Sequence, residues 1–422
     1  MADEVSNNLN DGLFASLVDN DKNAVAFSDT DEALVKDWLP TLIPQVDSVM
    51  LGGFPMSGRV TEIFGEPSVG KSTLTHSALA IAQRTGNVVP VIYDIEGTIN
   101  RERLVELGVD PSRVMTLVPE RKRDGTVNQI TVEQVIAHMI KTLADVHNSV
   151  EAEIKAKKRN PEDKVLVLFI WDTVAMTQAN MQASAEVGAQ TVGQQSRALS
   201  EGIRKLNPNL LANNGALIAL NQARADIGGN NPFIKETKTV GGNAWQHEMS
   251  LRLLMRAGSK EKASGSDKDN VIGKTVRLSF KKSKVGSNDG AVAEGILLKD
   301  TGFDLEYNVL QEAKDKKLVT SGAWVKYVDD NGEIFNKRNA DWIGFLKSPE
   351  GRPVFTELWQ KLIKIDFPEC YPPLFNTTLV LSEDKFPFVA GLREYYINIQ
   401  EQLPIENQNT NYRVWKKERS HE

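Results

Sequence analysis

The sequence predicts an α/β fold: a largely parallel twisted sheet at the centre, a short N-terminal arm and a smaller α+β C-terminal domain. Three observations carry that prediction. From Gly58 to about Asp304, strand-length apolar runs alternate with stretches whose apolar residues recur every three or four positions, a pattern that builds strand–helix units around a parallel sheet. Ahead of it, residues 1–44 are polar and acidic with two short amphipathic pieces, too little to fold alone. Beyond Asp304 the alternation gives way to a helix-like stretch at 307–317 and an aromatic-rich region holding Trp324, Trp342 and Trp359. The division expected is therefore an arm (1–44), a core (45–304) and a C-terminal domain with a polar tail (305–422).

The strands are expected at 59–64, 88–94, 165–172, 215–221 and 275–281, and the helices at 71–83, 132–147 and 195–211. The charged stretch 151–164, with Asn160-Pro161, reads as a solvated helix end and turn. A chain of 422 residues, 41% of them apolar, can bury at least one large core. Its longest apolar runs fall short of the roughly 20 residues that cross a bilayer. No secretory signal is visible in MADEVSNNLN, so a cytoplasmic protein without a membrane span is expected. The lone Cys370 can form neither an internal disulfide nor a cysteine-rich zinc site. A net charge of -6 argues against coating nucleic acid by bulk attraction. Acidic residues elsewhere can nevertheless hide a local basic groove.

The strongest local motif is Gly65-Glu66-Pro67-Ser68-Val69-Gly70-Lys71-Ser72, followed by Thr73, set between an expected strand and an expected helix. It fits the phosphate-loop pattern. Glycines let the backbone wrap phosphate oxygens, the helix N-terminus adds partial positive charge, Lys71 reaches the outer phosphates and the Ser72 hydroxyl can ligate Mg²⁺. ATP and Mg²⁺ are the ligands this predicts. A second requirement is an acid ending a buried strand, and Asp172 closes Leu166-Val167-Leu168-Phe169-Ile170-Trp171. A strand-end aspartate could instead cap the following segment. Hydrolysis also needs a group that positions water. Asp94 and Glu96 follow the strand at 88–94 and share a face, and composition does not rank them.

The order and spacing of these motifs resemble the RecA-like recombinases, and in the C-terminal part the UvsX type of T-even-like bacteriophages. The resemblance runs from Ile43 to about Asp304 through Gly52-Gly53-Phe54-Pro55, the phosphate loop, Tyr93-Asp94-Ile95-Glu96, Leu107-Gly108-Val109-Asp110, the Asp172 strand, Leu220-Asn221-Gln222 and Gly241-Gly242-Asn243. Gly322-Ala323-Trp324-Val325-Lys326-Tyr327 and Gly332-Glu333-Ile334 add the phage-type tail. Trp171 departs from the smaller aliphatic residues usual beside the magnesium aspartate, and the arm matches only faintly.

The resemblance implies a RecA-like P-loop ATPase core with Glu96 as catalytic base and Gln222 as the sensor of the γ-phosphate, heading a DNA-binding loop. That loop, 223–240, carries Arg224, Phe233, Lys235 and Lys238; at about 18 residues it exceeds usual connections. DNA contact is further implied at Gly241, Gly242 and Asn243, and at a softer first loop, 178–191, before a helix with Arg197. Lys282 and Lys284 match paired lysines that reach a neighbouring subunit's ATP, although pattern alone favours a solvated edge. A site completed by the next copy is a head-to-tail contact, which generates a helical filament.

The function implied is a DNA-dependent ATPase that polymerises on single-stranded DNA, pairs it with double-stranded DNA and serves recombination and repair. Single-strand-binding and mediator proteins are implied as further partners. The alternatives are a RecA-fold replicative helicase motor and a DNA-independent P-loop kinase.

Overall fold

Successive side chains of a strand point to opposite faces of its sheet, and here that alternation sorts the core into two layers. The computed structural model describes residues 16, 20, 34–185, 193–225, 237–263, 270–286 and 290–419. In chain order its strands are β1 (Trp38–Leu39), β2 (Phe54–Pro55), β3 (Arg59–Gly65), β4 (Val88–Asp94), β5 (Met115–Thr116), β6 (Leu166–Asp172), β7 (Gly215–Gln222), β8 (Arg224–Ala225), β9 (Thr237–Lys238), β10 (Leu251–Lys262), β11 (Val271–Ser283), β12 (Val292–Leu298), β13 (Trp324–Val328) and β14 (Ile334–Arg338). Eight form one sheet in the order β12-β11-β10-β3-β7-β6-β4-β5. Neighbours from β10 to β5 run parallel, while β11 and β12 extend the sheet antiparallel.

Along β6, Leu166, Leu168 and Ile170 face a layer built on helix Lys71–Thr85, whereas Val167, Phe169 and Trp171 face helices Val132–Lys155 and Gln194–Ala212. Burial on both faces explains why β6 reads as an unbroken apolar run. Helix Val132–Lys155 starts at a capping box, in which Gln134 N–H donates to Thr131 Oγ1 and Thr131 N–H to Gln134 Oε1. Its last turns are solvated, as the charged stretch implied. The strands β5, β10 and β12 have no counterpart in the sequence-based expectation. In β10 only the first five residues are buried and, apart from half-buried Glu261, the rest are exposed, so neither a continuous nor an alternating pattern marks it. No described helix is long and apolar enough to cross a membrane.

Residues 1–34 and 35–422 form separate units. In the first, Ser16 and Asn20 are helical, with the Asn20 side chain donating to the Ser16 carbonyl at 2.7 Å. The second begins at Val35 and so takes in residues 35–44, expected to belong to the arm. The cause is a set of long-range polar contacts. Asp37 Oδ1 accepts from the backbone N–H groups of Thr377, Thr378 and Leu379 at 2.9, 2.6 and 3.1 Å. Asn376 brackets Trp38, accepting from its N–H at 2.9 Å and donating to its carbonyl at 2.7 Å. Trp359 Nε1 donates to the Leu42 carbonyl at 2.7 Å. Residues 35–44 are thus stapled to the C-terminal region, whose aromatic residues share one hydrophobic cluster with the face of the sheet beneath helix Lys71–Thr85.

Asp47 lies in the same seam. Its carboxyl accepts from Thr41 N–H and Oγ1 at 2.7 Å each, from Leu42 N–H at 3.0 Å and from Tyr371 O–H at 2.8 Å. Burial pushes its carboxyl up to about 7, and these hydrogen bonds offset that only in part. An unfolded aspartate titrates near pH ~4. Between there and about 7 the folded chain holds a proton that the unfolded chain has released, so this contribution is complete at low pH and is lost as pH rises through the folded value. Asp47 should therefore lower urea midpoints between about pH 5 and pH 7 and add no further slope above. Asp47→Asn should flatten that slope, and an unchanged slope in the variant would clear Asp47 as its source.

Candidate phosphate-binding site

Parallel strands bring their C-terminal ends to one edge of a sheet, where ligands of open α/β folds bind. Here β3, β7, β6 and β4 end together: Gly65 pairs with Gln222, and Asp94 with Asp172. The loop from Gly65 to Ser72 leaves that edge and enters helix Lys71–Thr85 with Gly70 left-handed at its N-cap (φ 102). Gly65 is required by close approach, since a Cβ there would lie 2.2 Å from the Met255 carbonyl oxygen. Lys71 turns back into the loop, donating to the carbonyls of Gly65 and Glu66 at 3.2 and 2.8 Å.

The acids predicted around the loop converge. Ser72 Oγ donates to Asp172 Oδ2 at 2.5 Å. Glu96 Oε1 accepts from Thr173 Oγ1 at 3.1 Å and from Gln222 Nε2 at 3.4 Å. Asp94 separates itself from Glu96, because both of its oxygens are taken by backbone donors, Thr98 N–H at 3.1 Å and Ile99 N–H at 2.9 Å. Glu96 stays exposed. Burial raises the Asp172 carboxyl above the ordinary aspartate range; the Ser72 hydroxyl lowers it, Glu96 and Asp94 push it further up, and Lys71 pulls it down. Burial lowers the Lys71 ammonium, opposed by Asp172 and Glu96.

Among the described residues no three His, Cys, Asp or Glu side chains are grouped to hold a metal by themselves. One hydroxyl and one carboxylate in contact, with further negative charge close by, suit Mg²⁺, which keeps several waters and leans on one or two protein ligands plus substrate phosphates.

A second, deeper cluster ties the loop strand to the segment expected to meet DNA. Glu62 of β3 has no solvent exposure. It accepts from Asn221 Nδ2 at 2.8 Å, Trp245 Nε1 at 3.0 Å and Arg252 Nε at 2.6 Å. Arg252 also donates to Gln246 Oε1 and Thr239 Oγ1 at 3.3 and 3.1 Å, and Asn221 Nδ2 to the Val240 carbonyl at 2.9 Å. Sequence reasoning missed Glu62 and Arg252. The signal was present, since each is a single charge inside an apolar run, and buried charges are paired.

The remaining predicted residues fall as follows. Arg224 and Lys238 are paired through their backbones in the short antiparallel β8–β9 ladder immediately after Gln222. Phe233 and Lys235 lie outside the described residues, as does part of the first loop. Gly241 sits at φ 112, where a Cβ would also come within 2.6 Å of the Trp245 ring; Gly242 and Asn243 open helix Gly242–Glu248 and are exposed. Arg197 is exposed and paired with Glu201 at 3.0 Å.

Lys282 donates to the carbonyls of Gln246 and His247 at 2.7 and 2.8 Å, at the C-terminal end of helix Gly242–Glu248. Burial lowers its ammonium, with Lys284 and Arg252 adding to the effect and Glu248 opposing it. Lys284 falls one residue past the end of β11 and is exposed. Trp171, the departure noted in the sequence, is fully buried; it donates to Thr177 Oγ1 at 2.8 Å and meets Trp245 edge to face at 6.2 Å.

Removing one partner of a buried ion pair strands the other, at a cost of about 3–5 kcal/mol. Arg252→Met should therefore lower unfolding stability by roughly 3 kcal/mol or more in denaturant titration. A loss below about 1 kcal/mol, the scale of an exposed pair, would show that Glu62 does not depend on this cation.

Comparison with known proteins agrees with this geometry. A model of the RecA N-terminal domain matches residues 43–141 and 153–301. Protein RecA of Borrelia duttonii (strain Ly) is 32% identical over 286 residues, covering 68% of this chain and 69% of that protein. With its phosphate loop, strand-end acids and strand order all falling inside the matched residues, the chain belongs to the RecA family.

Proposed function

We propose that this chain is an ATP-hydrolysing recombinase that polymerises on single-stranded DNA and pairs it with a homologous duplex, of the UvsX type found in T-even-like bacteriophages. Family membership supports recombination on DNA in general. The phage subtype rests on the tail motifs that begin at Gly322 and Gly332. The organisation that goes with it is an N-terminal oligomerisation arm within residues 1–44, an ATPase core over 45–304 and a C-terminal domain over 305–422. A cytoplasmic location, in a bacterium or an infected host, fits this activity.

One observation carries the mechanism: the Gln222 amide donates to Glu96, and two residues later the chain enters the stem of the loop expected to hold DNA. Glu96 is the group that would accept a proton from the attacking water. In the present arrangement its carboxylate is occupied by Thr173 and Gln222. A γ-phosphate competes for the same amide, and when Gln222 turns to it, Glu96 is freed toward water while the root of the loop moves. Lys71 would bind the outer phosphates. Ser72 and Asp172 would hold Mg²⁺, which supplies neutralisation of phosphate charge. Lys282 and Lys284 would address the nucleotide of the next copy, so that filament growth and DNA binding draw on one event. Coupling between two sites is reciprocal: single-stranded DNA should raise apparent ATP affinity as much as ATP raises DNA affinity.

The decisive experiment is ATP turnover and negative-stain imaging with and without single-stranded DNA. Open helical filaments and stimulated turnover are expected; closed rings that unwind forks would favour a helicase, and turnover indifferent to DNA would favour a kinase. Lys71→Ala should abolish nucleotide binding. Glu96→Ala should bind ATP yet turn over at least about 100-fold more slowly, leaving filaments that outlive those of the parent protein. Filaments of ordinary lifetime in that variant would remove Glu96 from the role of base.

A further inference from the structure

The phosphate-loop motif accounts for one lysine, Lys71. A second reaches the loop from outside it. Lys274 of β11 donates from Nζ to the carbonyl oxygen of Ser68 at 2.5 Å. Strand pairing sets it there: Lys274 lies opposite Leu297 of β12, and Leu297 Cδ2 would stand 2.5 Å from a Cβ on Gly70, so β11 and β12 wall the outer side of the loop. Ser68 itself is held at φ 59.

The peptide from Ser68 to Val69 is trans, since the cis bond among the described residues is Asp172–Thr173. In a trans peptide the C=O and N–H groups point in opposite directions. A cation that draws the Ser68 oxygen outward therefore aims the Val69 N–H inward, where a phosphate loop cradles the α- and β-phosphates. It also polarises that amide and strengthens it as a donor. Lys71 now grips the carbonyls of Gly65 and Glu66, but the motif commits Lys71 to the nucleotide. Lys274 is the cation that stays behind on the loop when Lys71 turns away.

We propose that Lys274 is a positioning residue of the nucleotide site, holding the Ser68 carbonyl so that the Val69 amide faces the phosphates that ATP and ADP share. The proposal rests on the reading of Gly65–Ser72 as a nucleotide site and not on any role in DNA binding.

The test uses the full chain without DNA, measuring equilibrium binding of Mg-ATP and Mg-ADP by calorimetry for the parent, Lys274→Ala, Lys274→Arg and Lys274→Met. Lys274→Ala should weaken both nucleotides alike, by about tenfold, or ~1.4 kcal/mol, and KM for ATP should rise by more than kcat falls. Lys274→Arg should recover most of the loss. Weakening of ATP with ADP untouched would overturn the proposal in favour of direct contact with the γ-phosphate, and unchanged affinity for both would show the hydrogen bond to be idle. Should Lys274→Ala melt early, Lys274→Met, which keeps the apolar stem, gives the same comparison. If the parent binds neither nucleotide and Lys71→Ala changes nothing, the nucleotide site itself fails, an outcome distinct from failure of Lys274 alone.

Discussion

A carboxylate sealed from water organises the working end of this sheet. Removing a charge from solvent costs several kcal/mol unless well-placed donors and an opposite charge surround it. Glu62 obtains them from three places: Asn221 on the neighbouring strand, Trp245 on the helix after the loop, and Arg252 on the strand to its other side. Because the donors come from different elements, the electrostatic need of one residue fixes where those elements stand. The strand that ends in the phosphate loop, the strand that ends in Gln222 and the returning leg of the loop beyond it cannot shift independently without exposing that charge to an unpaired interior.

Two signals tied to consecutive residues were legible in the sequence. The phosphate loop was, because wrapping phosphate demands particular residues at adjacent positions, and β6 was, because burial on both faces leaves an uninterrupted apolar run. The order of Asp94 and Glu96 was not, since sequence spacing alone sets both at the end of one strand and only the turn through Thr98 and Ile99 shows which is spent on the backbone. The arm boundary was illegible for a different reason. What holds Asp37 in the folded unit lies about 340 residues away along the chain, beyond the reach of any local pattern. Glu62 and Arg252 stand between these cases: a charge amid apolar neighbours announces that a partner exists, but 190 residues separate the pair. Lys274 belongs to no motif and is visible only through what it touches.

The polar groups around the loop end are arranged as competitors. Gln222 has one amide nitrogen near Glu96, and a phosphate arriving at the same edge would ask for it too. Lys282 already satisfies two carbonyls at a helix end within its own chain, so reaching outward would leave those acceptors to water, whereas exposed Lys284 gives up nothing comparable. Each change of partner is a trade between bonds of similar strength, which lets modest binding energies select among arrangements of the edge.

The ladder between β8 and β9 has a mechanical meaning in this setting. It consists of two facing residues per strand, far less than an isolated hairpin needs to persist in water. One leg continues directly from Gln222, while the other is moored through Thr239 and Val240 to the Arg252 and Asn221 side chains. Both legs are therefore anchored at their base by Asn221, and beyond that anchor so short a stem has only its two facing pairs to hold it closed.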